Sequence, residues 1–299
     1  MGKLLICDPV DESAIEEMRN AGVDVDVRDD ISAEELAEVI GEYEGIVVRS
    51  RTKVPSALID RATSLKVIIR GGVGLDSIDV AHAQEKGIAV RNTPEANSNA
   101  VVELVLGLMI ALARNVTSAD KAMKEGRWTK KQLQGTEIEG KTLGIIGFGR
   151  IGQMLGDKAK ALGMEVRACD PYIADSDLLC LEDLLAVADY ISLHVPGGAE
   201  TKNLLDAENL QKTKRGVFIV QASRGGTVDE QALYEALESG QVAGAALDVY
   251  TEEPPKSELL HKLVGLPQVI ATPHIGAATE EALARVGGEV AALAISYLA

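Results

Sequence analysis

Lys141-Thr-Leu-Gly-Ile-Ile-Gly-Phe-Gly-Arg-Ile-Gly152 decides the fold. Its apolar run, residues 143–146, reads as a short buried strand that enters Gly147-x-Gly149-x-x-Gly152 directly. A helix is expected over 153–162, stopped by Gly163, and a second strand over 164–169 that ends on Asp170. Gly147 permits the tight turn, Gly149 lets a pyrophosphate approach the backbone, and Gly152 lets the helix pack close to the strand. Asp170 stands 18 positions after Gly152, near the spacing expected of an acid that binds ribose hydroxyls. Strand, glycine turn, helix, strand and acid together make a complete dinucleotide-binding unit.

Around this unit the chain alternates strand-like and helix-like segments, which predicts α/β architecture with parallel sheets. A polar break at Asn92-Thr-Pro-Glu-Ala-Asn-Ser-Asn99 suggests a domain boundary. Residues 100–113 are apolar almost all round and too short to span a bilayer, so they must be buried in the protein or at a subunit contact. The following charged stretch, 118–134, carries the only tryptophan, Trp128. A terminal apolar helix, 280–298, has no strand of its own to cover and is expected to return to the first domain.

The 299 residues suffice for two ordinary domains. A net charge of −16 argues against nucleic acid or an anionic membrane as partner. Any anionic substrate must then meet a local cluster of cations. Three cysteines without metal spacing suggest a reducing compartment, hence a cytoplasmic location, and no metal site.

Three chemistry-bearing residues share one position. Arg224, Glu253 and His274 each follow a predicted strand, and in an open parallel sheet all carboxyl ends lie on one edge. Singly each has a plain alternative: a surface ion pair, a loop acid, a turn histidine. Together they suit hydride exchange at a carbon next to a carboxylate. Neutral His274 takes the hydroxyl proton, Glu253 fixes its tautomer, and Arg224 holds the substrate's carboxylate. His194 ends a strand on the same edge and is expected to line the nucleotide pocket, while His82 and His261, the latter in a polar loop, read as structural. NAD is expected over NADP, because Asp170 ends the second strand and Pro171-Tyr172 after it supplies no cation to neutralise a 2′-phosphate.

With these residues in hand the chain resembles the D-2-hydroxyacid dehydrogenase family over essentially its full length. The matching pieces include Val48-Arg-Ser-Arg-Thr-Lys-Val54, Gly72-Val-Gly-Leu-Asp76, the glycine turn, Ala222-Ser-Arg-Gly-Gly226, Ala246-Leu-Asp-Val-Tyr-Thr-Glu-Glu-Pro-Pro255 and Pro273-His-Ile-Gly-Ala277. The resemblance implies two Rossmann-like or flavodoxin-like domains with a cleft between them. The substrate domain would be discontinuous, 1–93 plus 280–299, with the NAD-binding domain over 94–279 and no further C-terminal regulatory domain. It implies that Arg224, Glu253 and His274 are catalytic. Cofactor contacts are implied at Val73, Arg150, Ile151, Asp170, Val195, Ala222, Ser223, Asp248, Gly276 and Ala277. Substrate contacts are implied at Arg49, Ser50, Val73 and Gly74, and a homodimer is implied through the nucleotide domain. The expected reaction is NAD-dependent oxidation of 3-phosphoglycerate on the way to serine. Reduction of glyoxylate or hydroxypyruvate, and an NAD-sensing binding protein, are the alternatives. Arg49, Arg51 and Lys53, with Lys130 and Lys131 from a partner, would meet the phosphate. Gln221 departs from the family, whose members commonly carry Asn there.

Overall fold

The computed structural model describes residues 2–299. They divide into two compact units, one of residues 2–98 with Ala277–Ala299 and one of Asn99–Gly276. The division falls at 98/99, where the helix Ser98–Ala113 begins, and at 276/277, a few residues from the expected 93/94 and 279/280.

The first unit is a five-stranded parallel sheet: β1 (Lys3–Ile6), β2 (Asp24–Val27), β3 (Gly45–Val48), β4 (Val67–Arg70) and β5 (Ala89–Asn92), ordered β2-β1-β3-β4-β5. Alternate residues of each strand feed opposite faces. Leu4 and Ile6 join one apolar layer, while Leu5 joins the other with Ile46, Val48 and Ile68. Strands buried on both faces read as continuous apolar runs, which is why they are easy to find in sequence.

The terminal helix Glu280–Leu298 covers the first of these layers through Val286, Val290, Ala291 and Ala294. Small residues let it lie close. A Cβ on Gly287 would stand 2.9 Å from that of Asp11, and one on Gly45 would stand 2.8 Å from Leu298 Cδ1. Leu298 O also accepts the Gly2 amide at 3.0 Å.

The second unit holds six parallel strands: β6 (Thr142–Ile146), β7 (Glu165–Cys169), β8 (Tyr190–Leu193), β9 (Val217–Gln221), β10 (Val242–Leu247) and β11 (Val269–Ala271), ordered β11-β10-β9-β8-β6-β7. The chain reverses direction across the sheet between β6 and β8, the switch point at which ligands bind in such sheets. The strand ends are in register. Cys169 pairs with Ile146, Ile146 with Leu193, Leu193 with Gln221, Gln221 with Leu247, and Leu247 with Ala271. The helix Ser98–Ala113 supplies Val101, Val102, Val105 and Met109 to one face of this sheet.

Two helices depart from the sequence expectation. Val116–Lys124 is helical and runs into the charged stretch, and Glu258–Gly265 is a helix capped by Ser257, so His261 sits on a helix rather than in a loop. Leu260 and Leu263 carry that helix's buried face, a short signal masked by its polar flanks. Among the described residues no single helix is long and apolar enough to cross a membrane.

Gly45→Ala should crowd Leu298 and cost about 1–3 kcal/mol in urea unfolding. Adding Leu298→Ala to that variant should cost less than Leu298→Ala costs alone, because the new methyl fills part of the space. Additive losses would show that the two residues do not share that space.

Candidate active site

The glycine turn is built for close approach. Gly147 has φ +90°, and a Cβ there would stand 2.6 Å from His194 O across the switch point. A Cβ on Gly152 would collide with Gly147 O, so the helix Arg150–Ala161 can begin only with glycine at that position. Over Gly149 the space is open, and a Cβ there would meet nothing within 4 Å. Gly149 is also the N-cap and has no side chain to cap the helix, whose first amides therefore suit a phosphate. Arg150 and Ile151 form the helix's first turn.

Asp170 directly follows β7. One carboxylate oxygen accepts the Phe148 amide at 2.9 Å and the other accepts the Tyr172 amide at 3.0 Å. The acid is thus aimed beside the glycine turn, and a carboxylate keeps further lone pairs for ribose hydroxyls. Tyr172 in turn donates its hydroxyl to Glu200. The residues fit a dinucleotide carrying two free ribose hydroxyls at this end. A phosphate there would meet Asp170 with a second carboxylate, Glu200, close to its neighbour Tyr172.

The three residues singled out for chemistry follow β9, β10 and β11. His274 Nδ1 lies 2.7 Å from Glu253 Oε2, and Glu253 Oε1 accepts the Tyr250 amide at 3.1 Å. An ionised carboxylate only accepts, so Nδ1 carries the proton and Nε2 presents its lone pair. His274 itself has φ +54°, a left-handed conformation uncommon outside glycine and asparagine. Arg224 donates through Nη1 to Ser223 O at 2.7 Å, within the turn after β9.

Several residues expected to touch the cofactor have side chains committed to shaping this edge. Asp248 is 1% exposed, and its carboxylate accepts the Ile275 and Gly276 amides at 2.8 and 2.9 Å and the Thr272 hydroxyl at 2.6 Å. Ser223 gives its hydroxyl and its amide to Gln221 Oε1, at 2.8 and 3.1 Å. Gln221 Nε2 donates to Arg224 O at 2.9 Å and to Thr227 Oγ1. The departure at 221 therefore reaches across its own turn with the longer amide. Ala222 and Val195 are half-buried beside their strand ends, and Ala277 begins the segment assigned to the first unit.

In the first unit Arg49 and Ser50 follow β3, and Val73 and Gly74 lie in the turn after β4. The expected trio of cations does not survive intact. Arg51 is bound into the fold, with Nε on Asp8 at 3.0 Å and its other nitrogens on the carbonyls of Cys7, Asp29 and Ile31. Arg49 is half-buried and donates to Pro9 O at 3.4 Å, and burial pulls its guanidinium below the usual arginine range while Asp8 opposes the shift. Arg70, which sequence reasoning passed over, ends β4 and extends over Gly72, where any Cβ would strike its Nη1. It donates to Gly71 O at 3.1 Å and to Ser50 Oγ at 3.4 Å. Its place as the last strand residue before a glycine turn was the available signal.

His194 donates to or accepts from Ser192 Oγ at 2.8 Å, and burial pushes its pKa down to about 4. The folded chain then binds fewer protons here than the unfolded chain between pH 4 and 6.5. This contribution to stability is complete above pH 6.5 and disappears as pH falls towards 4. Because His194 is half-buried rather than fully enclosed, the contribution should amount to about 2 kcal/mol. Between those pH values His194→Gln should lose correspondingly less stability than the wild type in urea melts, and parallel losses would show that His194 titrates normally.

A family profile, the D-isomer specific 2-hydroxyacid dehydrogenase NAD-binding domain, matches residues 106–276. A hydroxypyruvate reductase of Thermotoga maritima is 47% identical over 287 residues, covering 95% of this chain and 94% of its own. A D-3-phosphoglycerate dehydrogenase of Methanocaldococcus jannaschii is 47% identical over 299 residues, covering 97% of this chain and 56% of its own. The chain thus spans little more than half the length of that relative. Among solved structures, a D-lactate dehydrogenase of Aquifex aeolicus complexed with NAD and lactic acid superposes with a TM-score of 0.85 at 26% identity, over 97% of this chain and 93% of that one. The chain belongs to the D-isomer specific 2-hydroxyacid dehydrogenases, and residues 106–276 carry that family's NAD-binding domain.

Proposed function

We propose that the protein is an NAD-dependent D-2-hydroxyacid dehydrogenase whose substrate pair is 3-phosphoglycerate and 3-phosphohydroxypyruvate. The observation that carries the dehydrogenase reading is the 2.7 Å His274–Glu253 pair on the same sheet edge as the glycine turn. Bound NAD supplies the hydride acceptor. Nε2 of His274 takes the hydroxyl proton as the C–H bond gives up its hydride, and Glu253 stabilises the resulting imidazolium. Arg224 offers a planar cation to the substrate's carboxylate and to charge developing on the carbonyl oxygen.

Arg49 and Arg70 support the phosphorylated substrate. Both stand at strand ends of the first unit on one edge, in an otherwise strongly acidic protein. Hydroxypyruvate reduction is the second reading, favoured because the relative of that name matches over nearly its whole length. Initial rates on 3-phosphoglycerate, glycerate, hydroxypyruvate and glyoxylate separate the two. On the first reading Arg49→Ala should lower kcat/KM for 3-phosphoglycerate by about 10- to 150-fold and leave the unphosphorylated acids nearly unchanged. Equal losses on every substrate would favour the hydroxypyruvate reading, and no turnover on any would sink the dehydrogenase reading.

A homodimer through the nucleotide-binding unit forms part of this proposal. Ile110, Val116, Met123 and Trp128 are exposed within one short stretch, with Trp128 78% exposed. Apolar groups gathered in this way suit a second copy of the chain. Met123→Glu with Trp128→Glu should halve the mass measured by light scattering, and an unchanged mass would rule out this face.

A further inference from the structure

Tyr250 touches all three strand ends that carry Arg224, Glu253 and His274. It lies three residues past β10 and is 7% exposed. Its amide donates to Glu253 Oε1 at 3.1 Å, leaving Oε2 to His274. Its phenol lies 2.9 Å from Leu247 O and 3.0 Å from Thr272 O, so one proton is shared between the end of its own strand and the residue two before His274. Its carbonyl presses on the turn after β9, where a Cβ on Gly225, next to Arg224, would collide with it.

The left-handed His274 needs such support, because a non-glycine residue with positive φ persists only where its surroundings hold it. Asp248 holds the shape of the 272–276 turn through two amides and a hydroxyl. That leaves the spacing between the turn and Glu253 to be set, and Tyr250 hydrogen-bonds both sides of it. Burial raises the phenol to about 12, so it stays a donor throughout the working range.

We propose that Tyr250 is a positioning residue whose phenol sets the distance between His274 and Glu253 and thereby acts on turnover rather than on NAD affinity. This rests on the dehydrogenase reading of the site. Tyr250→Phe keeps the ring and every backbone contact and removes only the hydroxyl. It should lower kcat by about 5- to 10-fold, the worth of one hydrogen bond, and leave the KM and Kd for NAD within about twofold. In a Glu253→Gln background the same change should have less than a twofold effect, because the pair it aligns is already broken.

A wild-type kcat in Tyr250→Phe overturns the proposal. An equal loss in both backgrounds also overturns it, since a role confined to general packing would act independently of Glu253. A weakened NAD Kd matching the loss of rate would instead make Tyr250 a wall of the cofactor pocket. Wild-type protein inactive on every acid of the panel overturns the dehydrogenase reading and this role with it. Active wild type with an unaltered Tyr250→Phe removes the positioning role alone.

Discussion

Parallel pairing in register is the constraint from which the rest follows. In the second unit a single line of paired residues, from Cys169 through Ile146, Leu193, Gln221 and Leu247 to Ala271, closes the sheet's carboxyl edge. Every segment leaving that line starts at the same height. Gly147, Asp170, His194, Ala222, Asp248 and Thr272 therefore stand side by side, although 125 positions separate the first from the last in sequence. A slip of one residue in any strand would turn that strand's side chains to the opposite face and displace its functional segment along the edge.

Buried polar side chains then convert aligned strand ends into aligned chemistry. Asp248 satisfies two amides of the neighbouring 272–276 turn, Gln221 an amide and a carbonyl of its own turn, and Tyr250 one carbonyl on each of two strand ends. Such groups are costly to bury unpaired, so each turn is held in the one conformation that pairs them. The first unit uses the same device. Asp8 is 1% exposed and accepts the Arg49 and Thr52 amides as well as Arg51 Nε, fixing the segment after β3. Arg51 is consumed in this role, whereas Arg49 and Arg70 reach over the strand ends of that edge.

The dinucleotide unit was legible because its signals are local. A strand, three glycines, a helix and an acid lie within 30 residues, so the pattern is complete without reference to distant segments, although His194 O also closes over Gly147 in the fold. The strand-end placement of Arg224, Glu253 and His274 was legible for a related reason: each follows an apolar run, and parallel sheets gather such positions on one edge. Less was readable where tertiary partners decide. Arg51 and Arg49 look alike in sequence, yet one is bound by three carbonyls and a buried carboxylate. Arg70 reads as the polar end of an apolar strand until its guanidinium is found lying over Gly72.

Sequence by itself determined the alternation of strands and helices, the nucleotide turn and the placement of Arg224, Glu253 and His274 after successive strands of one sheet. Period, glycine spacing and strand-end position are properties of short stretches. Only the tertiary structure decided what each polar side chain is for. Asp248 and Ser223 shape turns, Gln221 spans its own loop, and Tyr250 ties three strand ends, because those roles depend on hydrogen-bond partners up to 28 residues away in sequence. The same holds for the terminal helix. Its apolar face was evident, but the small residues that let it approach, Gly45 and Gly287, acquire meaning only from the atoms packed against them.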